Sequence, residues 1–181
     1  NLGNALREMG RFEEAAQAFL QALELSGEDG ELNLNLGAAL VEAGDNEGAL
    51  SFLAKAAELN PETAAVHYNM GKAFFNLAKF DAAVAAYLKA IDLDPGFADA
   101  HHNLAHTLLA AGRLGEGWAE YGWRWRSSSK SSRPREFPYP TWDGGPLAGK
   151  KLLIWGEQGI GDEILFAGLI GEIADQADSC L

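Results

Sequence analysis

A single cysteine, Cys180, excludes an internal disulfide framework, because one thiol has no partner in its own chain. It also stands among the last two residues, so no Cys–His pair is in view, and no Ser-His-Asp arrangement is apparent either. No apolar run approaches twenty residues, so nothing is expected to span a membrane, and no secretory leader is read at the start. Positive charge is scarce: 14 Lys and Arg stand against 26 Asp and Glu, a net charge of -12. That balance argues against nucleic acid as a partner of the whole chain. A length of 181 residues allows one or two domains, and the expectation is a soluble cytoplasmic protein. The charge is uneven. Residues 1–122 carry 7 basic and 18 acidic residues, giving -11, whereas residues 123–150 carry 6 and 2, giving +4.

What the sequence does have is a repeat. Asn1-Leu2-Gly3, Asn35-Leu36-Gly37, Asn69-Met70-Gly71 and Asn103-Leu104-Ala105 follow one another at intervals of 34 residues. Other positions keep the same period: Leu6, Leu40, Phe74 and Leu108; Ala15, Ala49, Ala83 and then Gly117; Phe19, Leu53, Tyr87 and Tyr121; Ala22, Ala56, Ala90 and then Arg124. A period of this length marks a solenoid of helix pairs, which presents an extended binding surface more readily than a catalytic pocket. Apolar residues recur at three- and four-residue spacing within each half-unit, so each half is an amphipathic helix of about a dozen residues. Small residues at fixed points let paired helices approach, and large ones fill the groove between units. Replacing Ala83 with Leu is therefore expected to overpack the helix contact and cost roughly 1–3 kcal/mol in a denaturant melt.

These offsets, with Pro61 and Asp94-Pro95 at the junctions, resemble the tetratricopeptide repeat family over residues 1–126. The resemblance implies an all-α, right-handed superhelix of about four helix pairs, the first truncated, whose inner face binds protein segments. The spacing predicts helices over 29–43, 46–59, 62–77, 80–92, 96–111 and 114–126. Asn60 and Asp94 read as helix N-caps, each followed by a first-turn proline. Gly10, Gly44 and Gly112 fit the turn inside each unit, with Ala78 as the exception.

The recurring asparagines are the first candidates for recognition. A side-chain amide both donates and accepts, so Asn35, Asn69 and Asn103 in one phase suit the backbone of an extended peptide. This row resembles the asparagine ladder of the O-GlcNAc transferase superhelix, which that family uses to bind protein substrates. The alternative is that each amide satisfies local backbone groups. Adjoining places hold Leu34, Tyr68 and His102, with Lys72 as the one basic neighbour. Basic residues that clamp a terminal carboxylate in chaperone-binding relatives are mostly missing, and acidic helices lean toward a neutral or basic peptide. His102 and His106 stand four apart, a spacing that can bind metal, but no cysteine or carboxylate completes a tetrahedral set. They are taken as lining of the groove, with Tyr68 and Lys72, and no metal or cofactor is expected. His67 and His101 fall where the family often places a bulky packing residue.

From Trp118 the repeat stops. Trp118, Tyr121, Trp123 and Trp125 crowd the end of the last helix, and residues 127–150 form a Ser-, Pro- and Arg-rich linker in which Pro134, Pro138 and Pro140 forbid regular structure. Aromatics interleaved with Arg124, Arg126, Arg133 and Arg135 can stack on single-stranded nucleic acid. In an acidic chain they read better as the cap that a terminal solenoid helix needs.

Residues 151–181 change character again. Lys151-Leu152-Leu153-Ile154-Trp155 suits a buried strand, and a glycine-rich loop, Gly156 to Gly161, precedes a helical pattern reaching about Ala177. Strand, loop and helix open a doubly wound α/β domain. Gly156, Gly159 and Gly161 form a candidate ligand loop, although G-x-x-G-x-G is neither the dinucleotide fingerprint nor a P-loop. Repeats, Trp-Arg-Trp-Arg, a Pro-rich linker and Gly-Glu-Gln-Gly-Ile-Gly-Asp resemble bacterial tetratricopeptide proteins fused to a two-Rossmann-domain glycosyltransferase of the heptosyltransferase and O-GlcNAc transferase kind. That resemblance casts Asp162 as the base acting on the acceptor hydroxyl; the plain reading of Asp162 is an N-cap. A nucleotide sugar would bind only in a longer parent, so this chain is not expected to be an enzyme. Strand 151–155 is expected to lack a partner in its own chain and to pair with a second copy, giving a homodimer, or else to lie along the linker.

Overall fold

The structure is a computed structural model, and it describes residues 2–128, 137–154 and 170–180. The chain divides into two compact units, Asn1–Ser128 and Ser129–Leu181.

The first unit is built of helices α1 (Leu2–Glu8), α2 (Phe12–Ser26), α3 (Gly30–Ala43), α4 (Asn46–Leu59), α5 (Ala64–Asn76), α6 (Phe80–Leu93), α7 (Ala98–Ala110) and α8 (Leu114–Glu120). Each helix packs on the next, and the first helices of successive pairs, α3, α5 and α7, also touch one another. The interior follows the repeat. Ala15 and Phe19, Ala49 and Leu53, and Ala83 and Tyr87 are buried on the second helices, against Leu6, Leu36, Ala73, Leu104 and Leu108 of the first. The glycine that ends each Asn-Leu-Gly phrase is what allows this. A Cβ placed on Gly3 would lie 2.5 Å from the Phe19 ring, on Gly37 2.6 Å from Leu53, and on Gly71 2.5 Å from the Tyr87 ring. The helices meet closely because the large side chain of one fills the gap left by the other.

The turns inside the pairs take left-handed backbone at Gly10, Gly44 and Gly112, with φ of 74°, 92° and 77°. Ala78 holds the same place at φ 55°. Its turn keeps the hydrogen bonds of the others: Ala78 N donates to Phe75 O and Lys79 N to Phe74 O, as Gly112 N donates to Leu109 O and Arg113 N to Leu108 O. An L-residue pays about 1–2 kcal/mol in this region. Ala78→Gly is thus expected to raise stability by about 1 kcal/mol, an increase that urea unfolding of the two proteins will show or refute.

Three expectations from the sequence need correction. Asn60 and Asp94 are not N-caps. They are the C-caps of α4 and α6, and each opens a proline turn in which Thr63 N donates to Asn60 O and Phe97 N to Asp94 O. Proline cannot continue the preceding helix, so it turns the chain, and the next helix starts only at Ala64 or Ala98. The last helix does not run to 126 either. α8 ends at Glu120 and a 3₁₀ turn covers Tyr121–Trp125. Here Ala105 stands where the other units have glycine, and Arg124 stands where they have Ala22, Ala56 and Ala90, the last two filling a gap in the core. The guanidinium of Arg124 cannot enter that gap; it lies over the rings of Tyr121 and Trp125, 4.6 and 4.1 Å from their centres. Trp123 stacks on His101 with ring centres 3.9 Å apart, whereas Trp118 stays 54% exposed and meets the Tyr121 ring edge-on at 5.1 Å.

In the second unit β1 (Lys151–Leu152) pairs in parallel with β2 (Ser179–Cys180), Lys151 facing Ser179 and Leu152 facing Cys180. The strand therefore has a partner in its own chain, and it is shorter than the expected 151–155 within the described residues. Asp178 N donates to Lys150 O, and Gly149 N donates to the Asp178 carboxylate, both at 3.0 Å, fixing the ends of the pair. Residues 170–174 are helical, and Leu147 is buried. Gly156, Gly159, Gly161 and Asp162 lie outside the described residues. No helix among the described residues is long and apolar enough to cross a membrane.

Candidate functional site

The candidate side chains lie on the first helices of the pairs, Asn35 on α3, Tyr68, Asn69 and Lys72 on α5, and His102, Asn103 and His106 on α7. Tyr68 on α5 is the centre. Its ring lies 4.8 Å from that of Phe97 and 6.0 Å from that of Tyr87, and its hydroxyl accepts a hydrogen bond from the Asn103 amide at 3.2 Å. Burial, helped by the negative charge of Asp99, pushes the Tyr68 hydroxyl above its ordinary pKa, so it stays protonated and able to donate.

Lys72 follows one turn later on the same helix, its ammonium 5.8 Å from the Tyr68 ring centre. Burial lowers its pKa, while Glu42 and Asp99 act in the opposite sense and Arg7 adds to the lowering. The surrounding anions are engaged elsewhere. Glu42 receives a bidentate pair from Arg7, with both contacts at 2.9 Å. Asp99 accepts from the Ser127 hydroxyl at 2.7 Å and from the Ser128 amide and hydroxyl at 2.7 and 2.8 Å. Although burial pushes the Asp99 carboxyl up, these bonds hold it below its ordinary value, so it is charged at neutral pH. Among the described residues no hydrogen bond and no ion pair within 4.0 Å engages the Lys72 ammonium.

The three asparagines do not form a uniform row. Asn69 is buried, and its amide donates to Ala65 O of its own helix at 2.8 Å. Asn103 is tied to Tyr68. Asn35 is half-buried and makes no side-chain hydrogen bond among the described residues. One phase thus carries three different roles, since a helix side chain two turns from a junction bonds whatever carbonyl or hydroxyl its neighbours offer.

At the far end of the row His102 and His106 turn toward each other with Nε2 atoms 3.0 Å apart. The Tyr121 ring stands beside both, 6.3 and 5.7 Å from their centres. Burial lowers the pKa of each. For His102 the charges of His106 and Arg124 lower it further against the opposing Asp99, so the pair is neutral at pH 7. Among the described residues no group of three or more metal-ligating side chains converges.

Sequence reasoning missed two features. His67 and His101 hold the junctions: their Nε2 atoms lie 3.4 and 3.2 Å from the carbonyls of Pro61 and Pro95, and His101 Nδ1 lies 2.6 Å from Glu120. Both histidines stand six residues after a junction proline, which was the available signal. Asp99 was missed as well, and no periodicity marks it, for the same phase holds Ala65 and Glu31.

A solenoid of helix pairs with an open row of polar and aromatic side chains is a recognition scaffold in its class. Tetratricopeptide repeat profiles match residues 6–73, 64–97 and 86–119, and over residues 6–119 the chain belongs to the tetratricopeptide repeat family. Protein FlbA of Caulobacter vibrioides is 46% identical over 72 residues, which are 39% of this chain and 12% of FlbA. This chain thus spans about an eighth of that relative's length. Among solved structures, MamA matches with a TM-score of 0.62 and 26% identity, over 70% of this chain and 74% of that one. YrrB, described as a tetratricopeptide protein with an unusual peptide-binding site, matches at a TM-score of 0.60 and 27% identity, over 68% of this chain and 64% of that one.

Proposed function

We propose that the row formed by α3, α5 and α7 docks an extended peptide segment of a partner protein, and that the segment places a carboxylate against Lys72. The observation that carries this reading is the half-buried ammonium whose neighbouring anions are already engaged. A partly desolvated cation without a direct ion pair gains more from an incoming carboxylate than an exposed one does. The strongly acidic helices disfavour a partner of high negative charge, so a single acidic side chain in an otherwise neutral or basic segment fits best. Asn35 offers its amide to the peptide backbone, Tyr68 and Asn103 form the floor, and His102 and His106 shape the far end. Asn69 supports its own helix. The peptide-binding description of YrrB agrees with a binding role on this fold.

The test is a cycle on both molecules. With a peptide selected from a random library, Lys72→Ala is expected to weaken binding about tenfold or more, the worth of a charge-assisted hydrogen bond. Replacing the peptide's acidic residue by its amide should do the same, and the two changes together should cost little more than either alone. Additive losses, or an unchanged affinity for Lys72→Ala, would contradict the assignment.

One observation favours a second reading for the other unit. Parallel pairing of β1 with β2 requires a crossover, and helical residues 170–174 lie within it. This is how a doubly wound α/β domain opens, so we also propose that residues 151–181 begin such a domain and that the repeats serve as its substrate-docking arm in a longer glycosyltransferase-like protein. Reading the gene past the codon for Leu181 tests this: further strand–helix units support it and an immediate stop contradicts it. Among the described residues each short strand pairs on one edge alone, and a homodimer through this unit is a proposal that light scattering decides.

A further inference from the structure

The face-to-face arrangement of His102 and His106 has chemistry of its own, independent of whether a peptide docks. The two rings stand on successive turns of α7, with their Nε2 atoms 3.0 Å apart and their ring planes at 70°. Two neutral imidazoles at this distance can share one proton, one Nε2–H donating to the other nitrogen. The same separation is also a chelate bite. With metal–nitrogen bonds of about 2.1 Å, nitrogens 3.0 Å apart subtend roughly 90–95° at the metal. Tetrahedral ligation of zinc asks for about 3.4 Å at those bond lengths. A right-angled pair of imidazoles is instead the cis edge of the square-planar or tetragonal geometry that Cu²⁺ and Ni²⁺ prefer.

We propose that His102 and His106 form a bidentate site for a Cu²⁺- or Ni²⁺-type ion on the surface of α7, with its other positions open to water or to a donor of the docked partner. The surroundings support this. Both rings are accessible, His106 exposed and His102 half-buried, while the Tyr121 ring closes one side and restrains their swing. Neutral imidazole is the metal-binding form, as for any histidine ligand. Binding requires both rings to take the tautomer with the proton on Nδ1 and to turn their Nε2 lone pairs away from each other toward a common point. The charged groups facing the pair are Asp99, which favours a cation, and Arg124, which opposes one.

The experiment is a CuCl₂ titration of the 181-residue chain carrying Cys180→Ser, which removes the competing thiol, followed by paramagnetic broadening of backbone amide signals. One equivalent should broaden signals centred on residues 99–110 and at Tyr121. His102→Gln and His106→Gln should each weaken the apparent affinity at least tenfold while the helical circular dichroism stays unchanged, and His67→Gln should leave binding as it was. Zn²⁺ should bind more weakly than Cu²⁺. Broadening centred elsewhere, or undiminished in His106→Gln, overturns the site, and tighter binding of Zn²⁺ overturns the cis geometry assigned to it.

Discussion

Tyr87→Ala is expected to lower the unfolding free energy by about 3–5 kcal/mol, the range for removing a fully buried aromatic side chain. Tyr87 is 1% exposed and lies among Ala83, Val84, Leu104 and Leu108, where helices α6 and α7 meet. It also lies over Gly71 of α5, so one ring fills the gap within its own helix pair and the gap to the next. The loss should appear as a lower midpoint in guanidinium unfolding. Because each unit of a solenoid is held mainly by its neighbours, the cost should fall on α5 to α8 more than on α1 to α4. Amide hydrogen exchange of the variant separates these halves. Uniform loss of protection would show that the unit unfolds as one block instead.

The second large effect comes from the opposite change at the same contact. Gly71→Leu is expected to cost about 3 kcal/mol, at the upper end for overpacking, because its Cβ alone would stand 2.5 Å from a ring that has nowhere to go. Replacing a glycine inside a helix ordinarily helps by about 0.5–1 kcal/mol, so a loss of this size isolates the steric term. A cycle sharpens the point. In a Tyr87→Ala background the same Gly71→Leu change should be nearly neutral or stabilising, since the leucine then enters the vacated space. A similar cost with and without the ring would mean that the close approach of α5 and α6 is not what fixes the glycine.

Much of the solenoid was legible because one contact is repeated. Helices α4 and α6 fall almost where the spacing places them, since the small and large residues at Ala49 and Leu53, or Ala83 and Tyr87, define both their inner face and their length. Ala78 was legible as the odd member of the turn series, and its positive φ agrees. The junctions misled because Asn and Asp before proline suit either an N-cap or a proline turn. The choice depends on how far the preceding helix runs, which packing rather than propensity decides. The break after Glu120 falls where two offsets of the repeat change, Ala105 for glycine and Arg124 for alanine, and period alone does not say that such a change ends a helix.

The candidate site was less legible for a related reason. Period locates a residue on a helix but says nothing of its hydrogen-bond partner. Asn35, Asn69 and Asn103 share a phase, yet Asn69 bonds a carbonyl of its own helix and Asn103 bonds a hydroxyl from the neighbouring one. Lys72 was visible as the basic neighbour of that row, but not that it would lack a direct ion pair while Arg7 bonds Glu42 and Ser127 and Ser128 bond Asp99. Those couplings span 35, 28 and 29 residues and leave no periodic trace.

The central claim is that the row of first helices is the binding face. The most direct test is to map amide chemical-shift changes on the chain as a library-selected peptide is added. The account predicts changes concentrated on α3, α5 and α7, largest around Tyr68, Lys72 and Asn103 and extending to Asn35 and His106. Changes confined to α2, α4 and α6, with Lys72 and its neighbours unmoved, would contradict it.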